Sequence, residues 1–256
     1  MLLITFLCVN ISFAQEESDA PKPEVGIYER LGETIPEGIF LNDENGKQVD
    51  VKSLINKPTI FSLVYFRCPG ICSPLLNGVS TILDKTDMEP GKDFNLITIS
   101  FDQSEDYQLA SGKKQSYLEN LDRKIPSDSW RFLTGDSANI RKIADALGFK
   151  FQRQGVDFMH GASIMMVSAE GKISRYLYGV DYLPFDFKMA VTEASEGRVV
   201  PTINKILKMC FSFDPEGRKY VLNVTRIAGG GMLLLIGVFI IILNSKKKKN
   251  KINKIT

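Results

Sequence analysis

From Thr59 to Phe66 the chain is apolar almost without interruption (Thr-Ile-Phe-Ser-Leu-Val-Tyr-Phe). It is rich there in β-branched and aromatic residues, which predicts a buried strand over about 58–66. The period then changes. Leu75, Leu76, Val79, Ile82 and Leu83 recur at the spacing of one helix face, predicting a helix that runs to about Thr86. Between the two, Pro69 and Gly70 force a tight loop, and Pro74 suits a first helical turn. Phe94–Phe101 repeats the buried-strand pattern and ends in Asp102. Tyr107–Leu121 reads as an amphipathic helix, Trp130–Leu133 as a short strand, and Ile140–Leu147 as a helix closed by Gly148. Ser163–Val167 and Lys172–Leu177 read as strands joined in a hairpin at Glu170-Gly171, followed by helices over Phe185–Ala194 and Pro201–Met209. Nearer the start, Ile39–Leu41 and Gln48–Val51 flank Asn45-Gly46, a strong hairpin-turn signal.

This order of strand, helix, strand, helix and late hairpin predicts an α/β fold with a mixed central sheet flanked by helices. Crossover helices require parallel central strands, and the hairpin adds antiparallel ones. At 256 residues and 44% apolar composition the chain can bury one sizeable core, expected over residues 30–213.

Both ends depart from that pattern. Residues 1–14 form a short apolar run closing on Ser12-Phe13-Ala14, read as a signal peptide, although no basic residue precedes it. Residues 15–29 begin as a polar, acidic, proline-bearing linker. After a connector at 214–226, residues 227–243 hold seventeen consecutive positions without a charge or strong polar group. That run is at the short end of what spans a bilayer as a helix. The tail 244–256 carries six lysines and no acid, so the C-terminus is expected on the cytoplasmic side. The folded domain is then expected on the periplasmic, extracytoplasmic side of the inner membrane, tethered by a single pass. Without those six lysines, 26 basic side chains face 30 acidic ones, a net of −4, and the folded part shows no nucleic-acid-binding composition.

The candidate chemistry lies where the first long strand gives way to its helix, at Cys68-Pro69-Gly70-Ile71-Cys72. Cys72 is expected near the helix N-terminus, where unpaired amides and the dipole favour a thiolate. In an exported chain, two close cysteines are a structural disulfide, a redox pair or metal ligands. A staple across so short a loop removes little unfolded-state entropy. A thioredoxin-type redox pair has two intervening residues rather than three, and a cis-proline loop facing it. The candidate facing loop here, Val156–Gly161, has no proline but holds His160, the only histidine of the chain. Two thiolates and an imidazole make a soft-leaning, three-coordinate set that suits Cu(I) and tolerates Cu(II), whereas structural zinc wants a fourth ligand. Asp102, at a strand end beside the cysteine loop, is either a supporting carboxylate behind the ligands or a turn cap. Met159 offers a thioether or packs, with packing preferred, as for Met165 and Met166. Arg67 either lowers the neighbouring thiol pKa or is solvated, Tyr65 and Phe66 are expected to wall the site, and Cys210 is either a buried, inert thiol, the preferred reading, or a third redox partner.

The ordered set formed by Cys68-Pro69-Gly70-Ile71-Cys72 with Pro74, Ser100-Phe101-Asp102, Leu133-Thr134-Gly135, and the His160 strand with its Gly171 hairpin resembles the Sco/SenC family of copper chaperones. The resemblance spans roughly residues 30–210. It implies a thioredoxin-like fold and copper held by Cys68, Cys72 and His160. It also implies a role in assembling the dinuclear copper centre of a respiratory cytochrome oxidase, with the oxidase's copper-bearing subunit and a copper donor protein as partners. The chain departs from the family pattern at Gly70, where Asp is usual, at Ser73 and Gln103, where Pro is usual, and in its C-terminal anchor. An enzyme is the competing reading: a thiol–disulfide oxidoreductase in which Cys68 and Cys72 cycle by exchange. A peroxidase fits less well, because no Thr stands three residues before either cysteine.

Overall fold

The computed structural model describes residues 25–200 and two further strands, 211–214 and 219–222. The expected signal peptide, the helix over Pro201–Met209, Cys210 and the apolar run 227–243 lie outside the described residues. Among the described residues no helix is long and apolar enough to cross a membrane.

The chain opens with β1 (Gly26–Ile27) and the hairpin of β2 (Phe40–Asn42) and β3 (Gln48–Asp50). Gly46 turns that hairpin at φ +78, the left-handed conformation the Asn-Gly signal anticipates. Then come β4 (Thr59–Val64), α1 (Cys72–Lys85), β5 (Asn95–Ser100), α2 (Tyr107–Glu119), β6 (Trp130–Leu133) and α3 (Ser137–Ala146). The short β7 (Phe149–Lys150), β8 (Gln152–Gln154) and β9 (Asp157–Met159) lead into β10 (Ser163–Val167), β11 (Ile173–Tyr178) and α4 (Pro184–Ser195). β12 (Phe211–Asp214) pairs antiparallel with β13 (Lys219–Leu222).

Five strands form the central sheet in the order β11-β10-β4-β5-β6. β4, β5 and β6 are parallel, and β10 and β11 run antiparallel to them, which is the expected mixed sheet. Every residue of β4 is buried, as its unbroken apolar run requires of a strand covered on both faces. The α1 stripe of Leu75, Leu76, Val79, Ile82 and Leu83 is likewise buried, and α1 packs against α4.

Two features place the functional edge. Phe61, Leu63, Ile97 and Ile99 are buried in the two adjoining parallel strands, whose register sets the C-terminal ends of β4 and β5 side by side, with Val64 opposite Ser100. Strand β10 enters from the same edge: Ile164 faces Ser62, and continuing that register outward brings His160 level with Phe66. Sheet topology thus closes the gap of almost ninety residues between the cysteine loop and the histidine.

Candidate metal centre

Residues Tyr65–Ile71 form the loop from β4 into α1, and Cys72 is the first residue of the helix. Helix α1 has no side-chain N-cap from Ile71. The sulfur of Cys68 fills that role, accepting the amide N–H of Cys72 and that of Gly70, the latter at 3.3 Å. The sulfur of Cys72 turns inward and receives the Tyr65 amide at 3.5 Å. His160 Nε2 stands 3.4 Å from the same sulfur, and its Nδ1 lies 2.8 Å from the carbonyl oxygen of Gly161. A carbonyl only accepts, so Nδ1 carries the proton and Nε2 presents its lone pair to the cysteines. All three donor atoms lie within 4.8 Å of one another. Three such ligands on one trigonal ion sit roughly 3.5–4 Å apart, given metal–sulfur and metal–nitrogen bonds of about 2.3 and 2.0 Å. The donor set fits a thiophilic ion with little adjustment, and the backbone bond at Nδ1 already fixes the imidazole in its ligating tautomer.

The two thiols differ. Burial pushes Cys72 well up, against the smaller opposing effect of the Tyr65 amide, and Cys68 and Glu105 push it further. Burial also acts to raise Cys68, but the Cys72 amide and thiol, the Gly70 amide and the Tyr65 hydroxyl outweigh it and hold that thiol below its usual range. The sequence expectation of a thiolate at Cys72 is therefore corrected. The helix amides do stabilise a sulfur anion, but they point at the sulfur one turn earlier, and desolvation dominates at Cys72. Burial also lowers His160, opposed by its bond to Gly161.

An aromatic cage holds the imidazole. Phe101, Phe149 and Tyr65 surround it with ring centroids at 5.0, 6.0 and 6.1 Å, and Phe158 packs against both Phe101 and Tyr65. Tyr65 walls the site as expected, and its hydroxyl also donates to Asp157 at 3.3 Å. Phe66 does not wall it; its ring packs against Phe132 in the core, 5.9 Å away. The Arg67 residue is exposed, and its backbone amide rather than its guanidinium is engaged at the site. Met159 is 41% exposed on the outer face of β9, because strand alternation turns it away from Phe158 and His160. The packing role expected of it is corrected, while Met165 and Met166 are core residues as expected.

Asp102 lies in the turn after β5, where its carboxylate caps the Ser104 amide at 2.9 Å. The carboxylate that reaches the cysteine loop belongs to Glu105. One of its oxygens accepts the Phe66 amide at 2.6 Å and the Ser100 hydroxyl at 2.6 Å, and the other accepts the Arg67 amide at 2.8 Å. Sequence reasoning passed over Glu105. The only signal for it was a second acid three residues after Asp102, at the mouth of α2.

Comparison with known proteins bears on this geometry. The SCO1/SenC family model matches residues 34–183, more than half of the chain. A SCO1 protein homolog of Bacillus subtilis (strain 168) is 26% identical over 156 residues, covering 59% of this chain and 77% of the relative. Among solved structures, a putative electron transfer protein from Aquifex aeolicus VF5 superposes with a TM-score of 0.59 at 30% identity, over 66% of this chain and 95% of that one. Arabidopsis thaliana ScoI, solved with copper bound, shares the fold at a TM-score of 0.51 and 21% identity, over 63% and 98% of the two chains. The mixed, thioredoxin-like sheet expected from the sequence is the fold of these proteins.

Proposed function

Because the chain belongs to the SCO1/SenC family, we propose that it is a membrane-tethered copper carrier that loads the dinuclear copper centre of a respiratory cytochrome oxidase. The observation that carries this reading is the convergence of Cys68 Sγ, Cys72 Sγ and a His160 ring nitrogen within 4.8 Å. Copper is the cargo, held by those three residues. Two sulfurs and a nitrogen, with no fourth ligand grouped with them among the described residues, suit Cu(I), tolerate Cu(II), and leave one side open for a partner's ligand during transfer. A copper donor protein fills the site and the oxidase's copper-bearing subunit empties it.

The apolar run 227–243 and the lysines behind it support anchorage in the inner membrane, with the domain on the extracytoplasmic side. Tethering would raise the domain's effective concentration near a membrane-embedded target. A reporter active only in the periplasm, fused at residue 215, tests the topology; a silent fusion reverses it.

The unequal thiols favour a second, compatible activity, reduction of a disulfide in the target. Cys68, accessible and held toward its thiolate, would attack one target sulfur and release the other as a thiolate. Cys72 would then attack Cys68 and pass its proton through His160 Nε2 toward the departing thiolate. The Cys68–Cys72 disulfide forms, and the target leaves as a dithiol once the sulfur released first has taken a proton from solvent.

Copper titration of the full chain in detergent decides the main reading. Wild type is expected to bind one copper per chain, and Cys68→Ala, Cys72→Ala and His160→Ala each to bind far more weakly. A His160→Ala variant that bound as tightly as wild type would overturn the three-ligand site. Turnover of a disulfide substrate at an unchanged rate without copper would place the oxidoreductase first.

A further inference from the structure

Glu105 is 4% exposed and lies at the junction of three segments: the end of β5, the start of α2 and the cysteine loop. Its two oxygens receive three hydrogen bonds, from the Phe66 and Arg67 amides and the Ser100 hydroxyl. Two of those partners are backbone amides, which can only donate, and the third is a hydroxyl. It touches neither sulfur nor imidazole, yet its negative charge acts on Cys72 through the protein interior. The loop amides it holds belong to Phe66 and Arg67, the two residues immediately before Cys68. Among the described residues Glu105 is the carboxylate bonded to the backbone of the cysteine loop; Asp157 meets only the Tyr65 hydroxyl, and Asp102 caps its own turn.

We infer that Glu105 is a positioning and electrostatic residue of the copper site, which fixes the cysteine loop and biases bound copper toward the more highly charged Cu(II) state. The bias follows from charge alone. The ligand set is the same for both ions, so a fixed anion behind it favours whichever ion carries the larger positive charge. It acts through low-dielectric interior rather than water, because Glu105 and the Cys72 sulfur are both buried. The bracing follows from geometry. Without the carboxylate, two backbone N–H groups beside a buried strand end lose their acceptor.

This inference rests on the copper reading, and the test separates the two. In Glu105→Gln, the amide oxygen can keep the Phe66 and Ser100 bonds while the charge is removed. In Ser100→Ala, one bond is lost and the charge stays. Full-length wild type and both variants are titrated separately with Cu(I) and Cu(II) under competing chelators, and the metal-free forms are compared by amide hydrogen exchange. Glu105→Gln is expected to lower the Cu(II)-to-Cu(I) affinity ratio about tenfold, equivalent to a potential about 59 mV more positive for a one-electron couple. Ser100→Ala is expected to leave that ratio within about twofold. The Arg67 amide is expected to exchange faster in Glu105→Gln even without copper. An unchanged affinity ratio in Glu105→Gln, with wild type binding both ions, would overturn the electrostatic role and leave the copper reading intact. Unchanged Arg67 exchange would overturn the bracing role. Failure of wild type to bind either ion would overturn both the copper reading and this inference.

Discussion

His160 Nε2 stands 3.4 Å from the sulfur of Cys72, across 88 residues of chain. Strand β10 supplies the reach, since its antiparallel pairing with β4 delivers His160 to the edge where the cysteine loop leaves the sheet. The aromatic cage supplies the aim: Phe101 holds the ring at 5.0 Å, and the Gly161 carbonyl holds Nδ1. Removing the ring and disturbing its aim should therefore differ in degree. His160→Ala is expected to weaken copper binding on the order of 100-fold or more. Phe101→Ala keeps all three ligands and loosens one, so a loss at the low end of the roughly 10–100-fold seen for supporting residues is expected. Competition titration against a copper chelator measures both. Equal losses in the two variants would mean the ring acts through packing rather than ligation.

The two cysteines should separate by reactivity in the metal-free, reduced protein. Cys68 is half-buried and its thiol is lowered by the amides of Cys72 and Gly70; Cys72 is 2% exposed and raised by burial. Thiolate content and access both favour Cys68. Iodoacetamide at neutral pH is expected to modify Cys68 faster than Cys72 by on the order of tenfold or more, as read by peptide mass spectrometry. Faster labelling of Cys72 would invert the attacking and resolving roles.

Much of this site is legible in the residues themselves, and the remainder shows where sequence reasoning ends. The change from the unbroken β4 pattern to the α1 stripe places Cys68 and Cys72 in the loop between them, because those periods have only one good structural solution each. Gly148 closes α3 at φ +64, as a glycine after a helical stripe announces. The β8–β9 hairpin gives no such signal. Gln152, Arg153 and Gln154 are all exposed, so no alternation marks the strand, and only Gly155 at φ +64 hints at its turn. The choice of Glu105 over Asp102 was equally hidden. Both follow the same strand, and which one reaches the loop depends on how the turn at Asp102–Glu105 folds. Cys72 shows competing effects of opposite sign: helix position is visible in sequence, depth of burial is not.

Helix α1 seats the second cysteine, and its fit depends on Gly78. A Cβ there would lie 1.7 Å from the Val180 carbonyl oxygen, in the segment that follows β11. The obstacle is backbone, which cannot rotate aside. Gly78→Ala is expected to destabilise the fold by about 1–3 kcal/mol, the usual cost of overpacking. That outweighs the gain of up to about 1 kcal/mol in helix propensity. At roughly 2–4 °C per kcal/mol for a domain of this size, the melting temperature should fall by about 2–12 °C. A variant as stable as wild type would show that α1 can slide away from the 180 segment, and that the position of Cys72 is less rigid than its packing implies.

Tyr176 provides a measure of the core away from the metal ligands. Its hydroxyl donates to the Leu147 carbonyl at 3.0 Å and accepts the Arg30 amide at 3.0 Å, tying β11 to the end of α3 and to the segment after β1. Burial is the main cause that pushes its pKa up to about 12, with the Arg30 amide pulling the other way. In the unfolded chain a tyrosine titrates near about 10. The folded state therefore keeps a proton that the unfolded state surrenders, so the associated stability is complete below about pH 10. It is lost as the pH rises from there through about 12, by on the order of 2 kcal/mol. Tyr176→Phe removes that dependence and the bond to Leu147, and leaves the Arg30 amide without its acceptor. It should cost about 1–3 kcal/mol near neutrality while giving a shallower decline in alkali than wild type. Denaturant unfolding of both proteins between pH 8 and 12 makes the comparison, in which Tyr65 and Tyr182, also raised by burial, are common to both and cancel. Parallel curves would mean that Tyr176 ionises as freely in the fold as outside it.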